Sequence, residues 1–336
     1  MSGTARKILL AALLLTFVVV VLGAYVRLSD AGLGCPDWPG CYGHLIGVPD
    51  TDSELAHAQN NFEREFEASK AWKEMIHRYC AGTLGILIFI IAIALFKKDH
   101  RGERHALAGS LLAAVLIFQA LLGMWTVTLQ LKPLIVMGHL LGGFTLFNLL
   151  VWQWWRTSSL QPQINLASAS TLFKLAIFTV MVLVGQIALG GWVSSNYAAL
   201  ACVDFPQCQQ SWWPMMDFKD AFILWRGLGI DYEFGVLDHP ARVAIHYVHR
   251  IGALVTTLVI LYYAFRLLKC SNQSGIFRTN VFIIMGLLLL QVSLGISNVV
   301  FKLPLPIAVM HNGVALLLLA SLVSSISMLK LARSGD

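Results

Sequence analysis

Four histidines of this sequence form two pairs with the same spacing. His77 and His249 are as far apart along the chain as His139 and His311. Each lies a few residues inside a long apolar run, where an ionisable side chain is costly and commonly functional. Two imidazoles at matched depth on separate helices of a bundle can hold a haem iron between them. A single histidine of this kind is more often a polar contact between helices, but the duplicated register favours haem ligation by all four.

One position breaks the duplication. Glu74 precedes His77 by one helical turn, so the two side chains share one face of a helix, whereas the residue one turn before His249 is His246. A carboxylate beside only one histidine pair predicts that the first half of the chain performs chemistry and that the second half holds a permanent haem. The alternative is an interfacial ion pair of Glu74 with Lys70 or Lys73. His246 could in turn support the ligand one turn after it.

An arginine follows the first histidine of each pair. Arg78 and Arg250 occupy these places, and a guanidinium can bind a haem propionate through two parallel hydrogen bonds. The alternative is that both side chains extend toward lipid phosphates at the membrane surface.

The composition indicates that long helices position these residues in a membrane. Hydrophobic residues make up 57% of the 336 positions and charged residues only 12%, against about 25% charged in soluble domains. We predict an all-α integral membrane protein with eight spanning helices. The first run follows Arg6 and Lys7 and lacks a small-residue cleavage site, so it is expected to be a retained helix and not a signal peptide. The eight apolar runs cover 8–28, 72–96, 105–129, 134–156, 171–194, 240–266, 278–301 and 305–331.

The chain also contains an internal repeat. The segment 26–41 aligns with 193–208, and Gln119 and Gly123 align with Gln291 and Gly295 at the same offset as the histidines. An even number of helices per copy gives both copies the same orientation, so the repeat is parallel. We therefore predict two four-helix bundles, residues 1–157 and 170–336, joined by a cytoplasmic linker at 158–169.

The distribution of charge predicts the orientation. Basic residues such as Arg6, Lys7, Lys98 and Arg101 cluster at one set of helix ends, whereas most acidic residues lie at the other. By the positive-inside rule both termini are cytoplasmic and the long loops face the periplasm. The net charge of +6 follows from this topology and does not indicate nucleic-acid binding.

Two pairs of cysteines lie in the long loops. Cys35 and Cys41 are in the first and Cys202 and Cys208 in the second, which is typical of an oxidising compartment. We predict the disulfides Cys35–Cys41 and Cys202–Cys208. A thiol relay that passes electrons to quinone is the alternative, although the two cysteines of such relays usually lie closer together in the sequence.

These residues together resemble the haem A synthase family of bacterial and mitochondrial membranes. The resemblance covers essentially the whole chain and rests most on 27–39, RLSDAGLGCPDWP. The remaining motifs are Glu74-x-x-His77-Arg78, Gly138-His139, His249-Arg250 and His311.

The resemblance implies an inner-membrane enzyme that oxidises a methyl group of haem O to the formyl group of haem A by successive hydroxylations. It implies water as the oxygen source and a terminal oxidase as the destination of the product. It further implies a substrate haem near His77 and His139, haem b on His249 and His311, and a catalytic Glu74.

The implied partners are haem O, a quinone or other electron acceptor, haem O synthase and terminal-oxidase assembly factors, and association into a homo-oligomer is compatible with them. Two other classes compete with this interpretation. A membrane b-type cytochrome that only carries electrons would explain the histidines without Glu74. A transporter with parallel repeats would place its site near the midplane of the bilayer, unlike these histidines.

Overall fold

The computed structural model describes residues 3–97, 105–158, 160, 162, 166–270 and 275–334. Within these residues eight helices are long and apolar enough to cross a membrane, as predicted. In hydrocarbon a backbone must satisfy its own polar groups, and a helix does so within one segment. The spanning helices are α1 Gly3–Leu28, α3 Ala68–Phe96, α4 Ala106–Thr128, α5 Pro133–Arg156, α6 Leu166–Ser195, α8 His239–Cys270, α9 Gly275–Val300 and α10 Leu305–Ser334. Two short helices, α2 Asp52–Asn61 and α7 Phe218–Ala221, lie in the long connections.

The spanning helices pack as two rings of four. In the first ring α1 contacts α3, α3 contacts α4, α4 contacts α5, and α5 closes on α1. In the second ring α6, α8, α9 and α10 pack in the same order. The rings meet where α1 contacts α10, α5 contacts α6, and α5 contacts α10. This pairing is consistent with the predicted two-fold repeat, although the limits of the two units stay a prediction.

Backbone conformations at the helix ends recur at the offsets found in the sequence. Left-handed residues end α1 at Asp30 (φ 48°) and α6 at Tyr197 (φ 52°). The turn between α4 and α5 contains Gln130 and Leu131 with positive φ, and the turn between α9 and α10 repeats it. In these turns the amide of Leu131 donates to the carbonyl of Thr126 at 2.8 Å, and that of Leu303 donates to Asn298 at 2.7 Å.

The two largest apolar clusters lie on the side of the bundle away from the long connections, and smaller clusters lie beside those connections. One cluster fills the first ring and includes Leu9, Ile88 and Leu150. A larger cluster joins α5 to the second ring through Phe144 and Phe277. Among the spanning helices described, α10 is the most extensively buried, and it packs against α1, α5, α6 and α9.

The long connections 29–67 and 196–238 cover one end of the bundle, which we call the loop face. The first contains α2, whose start is capped by Thr51 and Glu54 in a reciprocal pair of hydrogen bonds. The two connections are bound to each other, since Arg64 forms ion pairs with Asp231 at 3.0 Å and with Glu233.

Some sequence predictions fall outside the described residues. These include the inner-side bases Lys98 and Arg101 and, within the predicted linker, positions 159, 161 and 163–165.

Candidate functional site

The predicted histidine pairs both lie near the loop face. His77 is in α3 and His139 in α5, each within about three turns of the helix start. Both are half-buried. Helices α3 and α5 stand on opposite sides of the first ring, since each contacts both α1 and α4. The structure therefore places the first predicted pair at a similar depth on two facing helices of one ring.

The second pair has the same arrangement in the other ring. His249 is in α8 and His311 in α10, near the starts of those helices and half-buried. Helices α8 and α10 likewise stand on opposite sides of their ring, since each contacts both α6 and α9. The shared spacing of the histidines along the chain thus corresponds to equivalent places in the two rings.

Each histidine ring lies against a glycine of a neighbouring helix. A Cβ added at any of these glycines would stand 3.1–3.2 Å from the Cε1 atom of the ring, closer than ordinary van der Waals contact, so the absence of a side chain lets the imidazole approach the helix backbone. Sequence reasoning gave these glycines no role. They recur at the two offsets of the repeat, and this recurrence could have identified them as equivalent positions in the two rings. The four contacts are Gly23 with His77, Gly123 with His139, Gly190 with His249 and Gly295 with His311.

The ring nitrogens fit the predicted haem iron. Nδ1 of His77, His139 and His311 is buried without a hydrogen-bond partner, although buried polar atoms are normally paired. No protein contact at Nδ1 therefore fixes which nitrogen of these rings carries the proton, and Nε2 is able to bind a metal. Two imidazoles on separate helices of one ring would be able to hold a haem iron between them. At His311 the Nε2 atom lies 3.3 Å from Nε2 of Gln291, a contact that iron binding through this nitrogen would replace.

Glu74 is buried, with 5% of its surface exposed, and both carboxylate oxygens have partners. Oε2 accepts a hydrogen bond from the backbone N–H of Cys35 at 2.9 Å, and Oε1 accepts one from Nη2 of Arg78 at 2.5 Å. The alternative partners have other contacts, since Lys70 pairs with Glu67 at 2.7 Å and Lys73 lies over the ring of Tyr25. The ion pair of Glu74 is therefore formed with Arg78 and with neither lysine.

His246 occupies the same structural place in the second ring. Its Nδ1 lies 3.3 Å from the backbone N of Cys202, and its Nε2 lies 3.3 Å from Nε of Arg250. A neutral imidazole has one acceptor nitrogen, so it accepts from one of these two N–H groups at a time. Glu74 and His246 thus contact equivalent groups, the first cysteine of a loop and the arginine one turn later. The two rings differ in the acceptor capacity of this group, because a carboxylate accepts from both partners at once and a neutral imidazole from only one.

The two arginines bind the cysteine loops. Nη1 of Arg78 donates to the carbonyl of Asp37 at 3.0 Å and also to that of Gly40. Arg250 donates to the carbonyls of Gln207 at 2.8 Å and Cys202 at 2.9 Å. Propionate binding by these residues stays a prediction, and the structure adds a loop-anchoring role that the sequence did not reveal.

Both cysteine pairs form disulfides. The Cα atoms of Cys35 and Cys41 are 4.7 Å apart and those of Cys202 and Cys208 are 4.8 Å apart. In the second loop Asp204 accepts backbone N–H bonds from Gln209 and Gln210, each at 2.7 Å. Desolvation raises the pKa of Asp204, but these hydrogen bonds outweigh it and leave the pKa below its usual value.

Asp37 makes the equivalent bonds in the first loop, to the backbone N–H groups of Tyr42 at 2.6 Å and Gly43 at 2.9 Å. The two disulfide loops therefore have the same internal hydrogen bonding.

Comparison with known proteins shows the family to which the chain belongs. The family model COX15-CtaA, described as cytochrome oxidase assembly protein, matches residues 6–323. Heme A synthase of Shewanella oneidensis is 49% identical over 93% of this chain and 92% of its own length. Heme A synthases of Chelativorans sp. and Halalkalibacterium halodurans are each 26% identical, over 90% and 91% of this chain and 84% and 90% of their own lengths. The chain therefore belongs to the haem A synthase family, within the cytochrome oxidase assembly proteins.

Proposed function

We propose that this protein converts haem O to haem A in the membrane. The observation that carries the proposal is the duplicated pair of neighbouring histidines at the loop face, in a chain 49% identical to a heme A synthase over 93% of its length. Family membership supports a role in haem A biosynthesis. The assignment of haem O to the first ring and of haem b to the second is our inference.

The first ring receives haem O and the second holds haem b. His77 and His139 bind the iron of the substrate, and His249 and His311 would bind the resident haem. The support for this order is Glu74, because it is the acidic group beside only one pair. A haem b in the second ring supplies one-electron transfer when it is bound.

The overall change is oxidation of a methyl group to a formyl group with water as the oxygen source. One water adds its oxygen to the carbon, and four protons and four electrons leave. The first hydroxylation gives a hydroxymethyl group, and the second gives a hydrate that loses water to form the aldehyde. The electrons require an acceptor, for which we propose a quinone.

Glu74 is the proposed catalytic residue. The N–H of Cys35 and the guanidinium of Arg78 fix its orientation, and a carboxylate has further lone pairs that can accept a hydrogen bond from water. We propose that it orients the attacking water and takes a proton as the carbon–oxygen bond forms. Arg78 and Arg250 are proposed to approach the haem propionates with the donor atoms that the loops leave free.

The proposed location is the cell inner membrane, with both termini cytoplasmic and the loop face periplasmic. The proposed partners are haem O synthase, which would supply the substrate, and assembly factors of the terminal oxidase that receives the product.

Two substitutions of Glu74 test this proposal. Glu74→Ala should stop haem A production while the second ring still binds haem b, because the variant lacks the acid but keeps His249 and His311. Glu74→His copies the second ring and can still accept the N–H of Cys35, so it should fold like the wild type and also be inactive. Haem A is measured by pigment extraction and chromatography after expression with a haem O source.

Wild-type haem A production in either variant would remove Glu74 from the mechanism. The same extraction decides between the proposal and a b-type cytochrome. If the wild-type protein holds haem b alone, even when haem O is supplied, electron transfer without substrate chemistry is the better description.

A further inference from the structure

The first histidine of the second ring is held by a glutamine. Nε2 of Gln186 in α6 lies 3.1 Å from Nδ1 of His249 and donates to its carbonyl at 3.0 Å. The other amide atom, Oε1, is buried without a partner. Within the part of the chain that the structure describes, His249 alone among the four site histidines has a partner at Nδ1.

The first ring has no such group at the equivalent place. Gln186 lies one turn before Gly190, the glycine that contacts His249. The residue one turn before Gly23, which contacts His77, is Val19. Val19 and Gln186 are also related by the repeat, at the offset that aligns 26–41 with 193–208. An apolar side chain therefore stands where the second ring has an amide, and Nδ1 of His77 is buried without a partner.

The other glutamines near the site do not compensate for this difference. Gln119 donates to the carbonyl of His139 at 2.7 Å, and Gln291 approaches Nε2 of His311. Neither has a contact with Nδ1 of its histidine, and both Nδ1 atoms are unpaired.

A partner at Nδ1 affects how a histidine holds a metal. A histidine that binds iron through Nε2 carries its proton on Nδ1 and is oriented by the group that accepts this proton. In the structure the amide N–H of Gln186 faces Nδ1. Rotation of the amide presents its unpaired Oε1 to a protonated Nδ1 in exchange for the bond to the His249 carbonyl. Histidines supported in this way retain their metal more strongly, and loss of the support commonly weakens binding by about 10–100-fold.

We propose that Gln186 is a positioning residue that makes the second ring a retaining haem site, and that Val19 makes the first ring a releasing site. An enzyme whose substrate and product are both haems must release the product haem, whereas the haem that transfers electrons must stay bound. The Val19 and Gln186 pair gives that difference a physical basis. This inference rests on the proposed function, because it assumes haem at both pairs.

The test measures the rate of haem release. The full-length protein in detergent is loaded with protohaem and mixed with excess apomyoglobin, and transfer is followed by absorbance. The wild type should show a fast and a slow phase, and His77→Ala and His249→Ala identify the ring that each phase reports. Gln186→Val should accelerate the slow phase by about tenfold or more, and Val19→Gln should slow the fast phase.

Further variants separate positioning from a general structural role. Gln186→Glu keeps an acceptor for the Nδ1 proton and should restore slow release. Thr179→Val removes a buried hydroxyl of the same helix that bonds to the carbonyl of Leu175, and it should leave both phases unchanged. Gln186→Val should also raise the reduction potential of the slowly released haem, because the ligand loses the acceptor that makes it more basic.

The inference and the proposed function fail in different ways. A wild-type protein that takes up no haem contradicts the proposed function. If two phases are present and Gln186→Val leaves the slow phase unchanged, the inference alone is overturned. Should Gln186→Val not fold, an unchanged fast phase in Val19→Gln overturns it instead.

Discussion

Single residues distinguish the two halves of this protein more than their contacts do. Glu74 and His246 contact equivalent groups, the backbone N–H of a loop cysteine and an arginine, although a neutral imidazole accepts from only one of them at a time. The carboxylate is therefore not required to hold the loop, since an imidazole does so in the second ring. Burying an ionisable acid lowers the free energy of unfolding. Our proposal explains why Glu74 is buried nevertheless, because it gives this carboxylate a catalytic role.

The glycines beneath the histidines give a prediction at the same scale. Gly190→Ala would put a Cβ 3.2 Å from Cε1 of His249, so the ring must shift and haem b should be lost from the second ring. The measurement is haem content per purified protein by absorbance.

The matched control is Gly185→Ala on the same helix, because a Cβ there meets no atom within 4 Å. This change should be neutral or slightly stabilising, by up to about 1 kcal/mol, since alanine favours a helix over glycine. Equal haem content in the two variants would show that the ring does not depend on the glycine.

At the scale of elements, a disulfide loop and the start of a helix form one unit in each ring. The N–H of the first cysteine is held by the helix, and the arginine one turn later binds loop carbonyls. The histidine directly before this arginine is part of the same turn. The loop therefore fixes the part of α3 and α8 from which the histidines project.

Arg78→Lys tests this coupling. An ammonium cannot reproduce the planar fork that reaches Glu74 and the loop carbonyls together, and each lost bond to a charged group costs about 1.5–3 kcal/mol. Local opening of the first loop should become at least about tenfold more frequent. The buried disulfide Cys35–Cys41 should then be reduced faster, as measured by thiol alkylation and mass spectrometry.

The second loop is the internal control. Cys202–Cys208 should be reduced at the wild-type rate in Arg78→Lys and faster in Arg250→Lys. Equal reduction of both disulfides in each variant would indicate general destabilisation and contradict local anchoring.

For the whole molecule, the two rings pack through α1, α5, α6 and α10. The loop face adds contacts across the same boundary. Arg27 of α1 donates to the carbonyl of Ser194 in α6 at 2.7 Å and stacks over Tyr197. Lys132, which follows α4, donates to the carbonyl of Gly227 and lies 3.4 Å from the ring centre of Trp225. These contacts keep both histidine pairs at one end of a single bundle.

The orientation of this bundle is a prediction of its own. Basic residues at the ends opposite the loop face predict that this side is cytoplasmic. A green fluorescent protein fused after Asp336 should therefore fluoresce, whereas alkaline phosphatase at the same place should be inactive. Fusion of each reporter within the first long connection, after Glu65, should reverse the pattern, and the opposite result would invert the proposed topology.

The eight spanning helices were determined by the sequence, because bilayer thickness and backbone hydrogen bonding leave a long apolar run one stable structure. The repeat likewise predicted which histidines are equivalent. Tertiary structure decided what those residues touch. The partner of Glu74, the loop contacts of Arg78 and the amide beside His249 join side chains from separate segments. The position of a residue in the sequence determines how far along its helix the residue lies. Which side chain of another helix it contacts depends on how the helices pack.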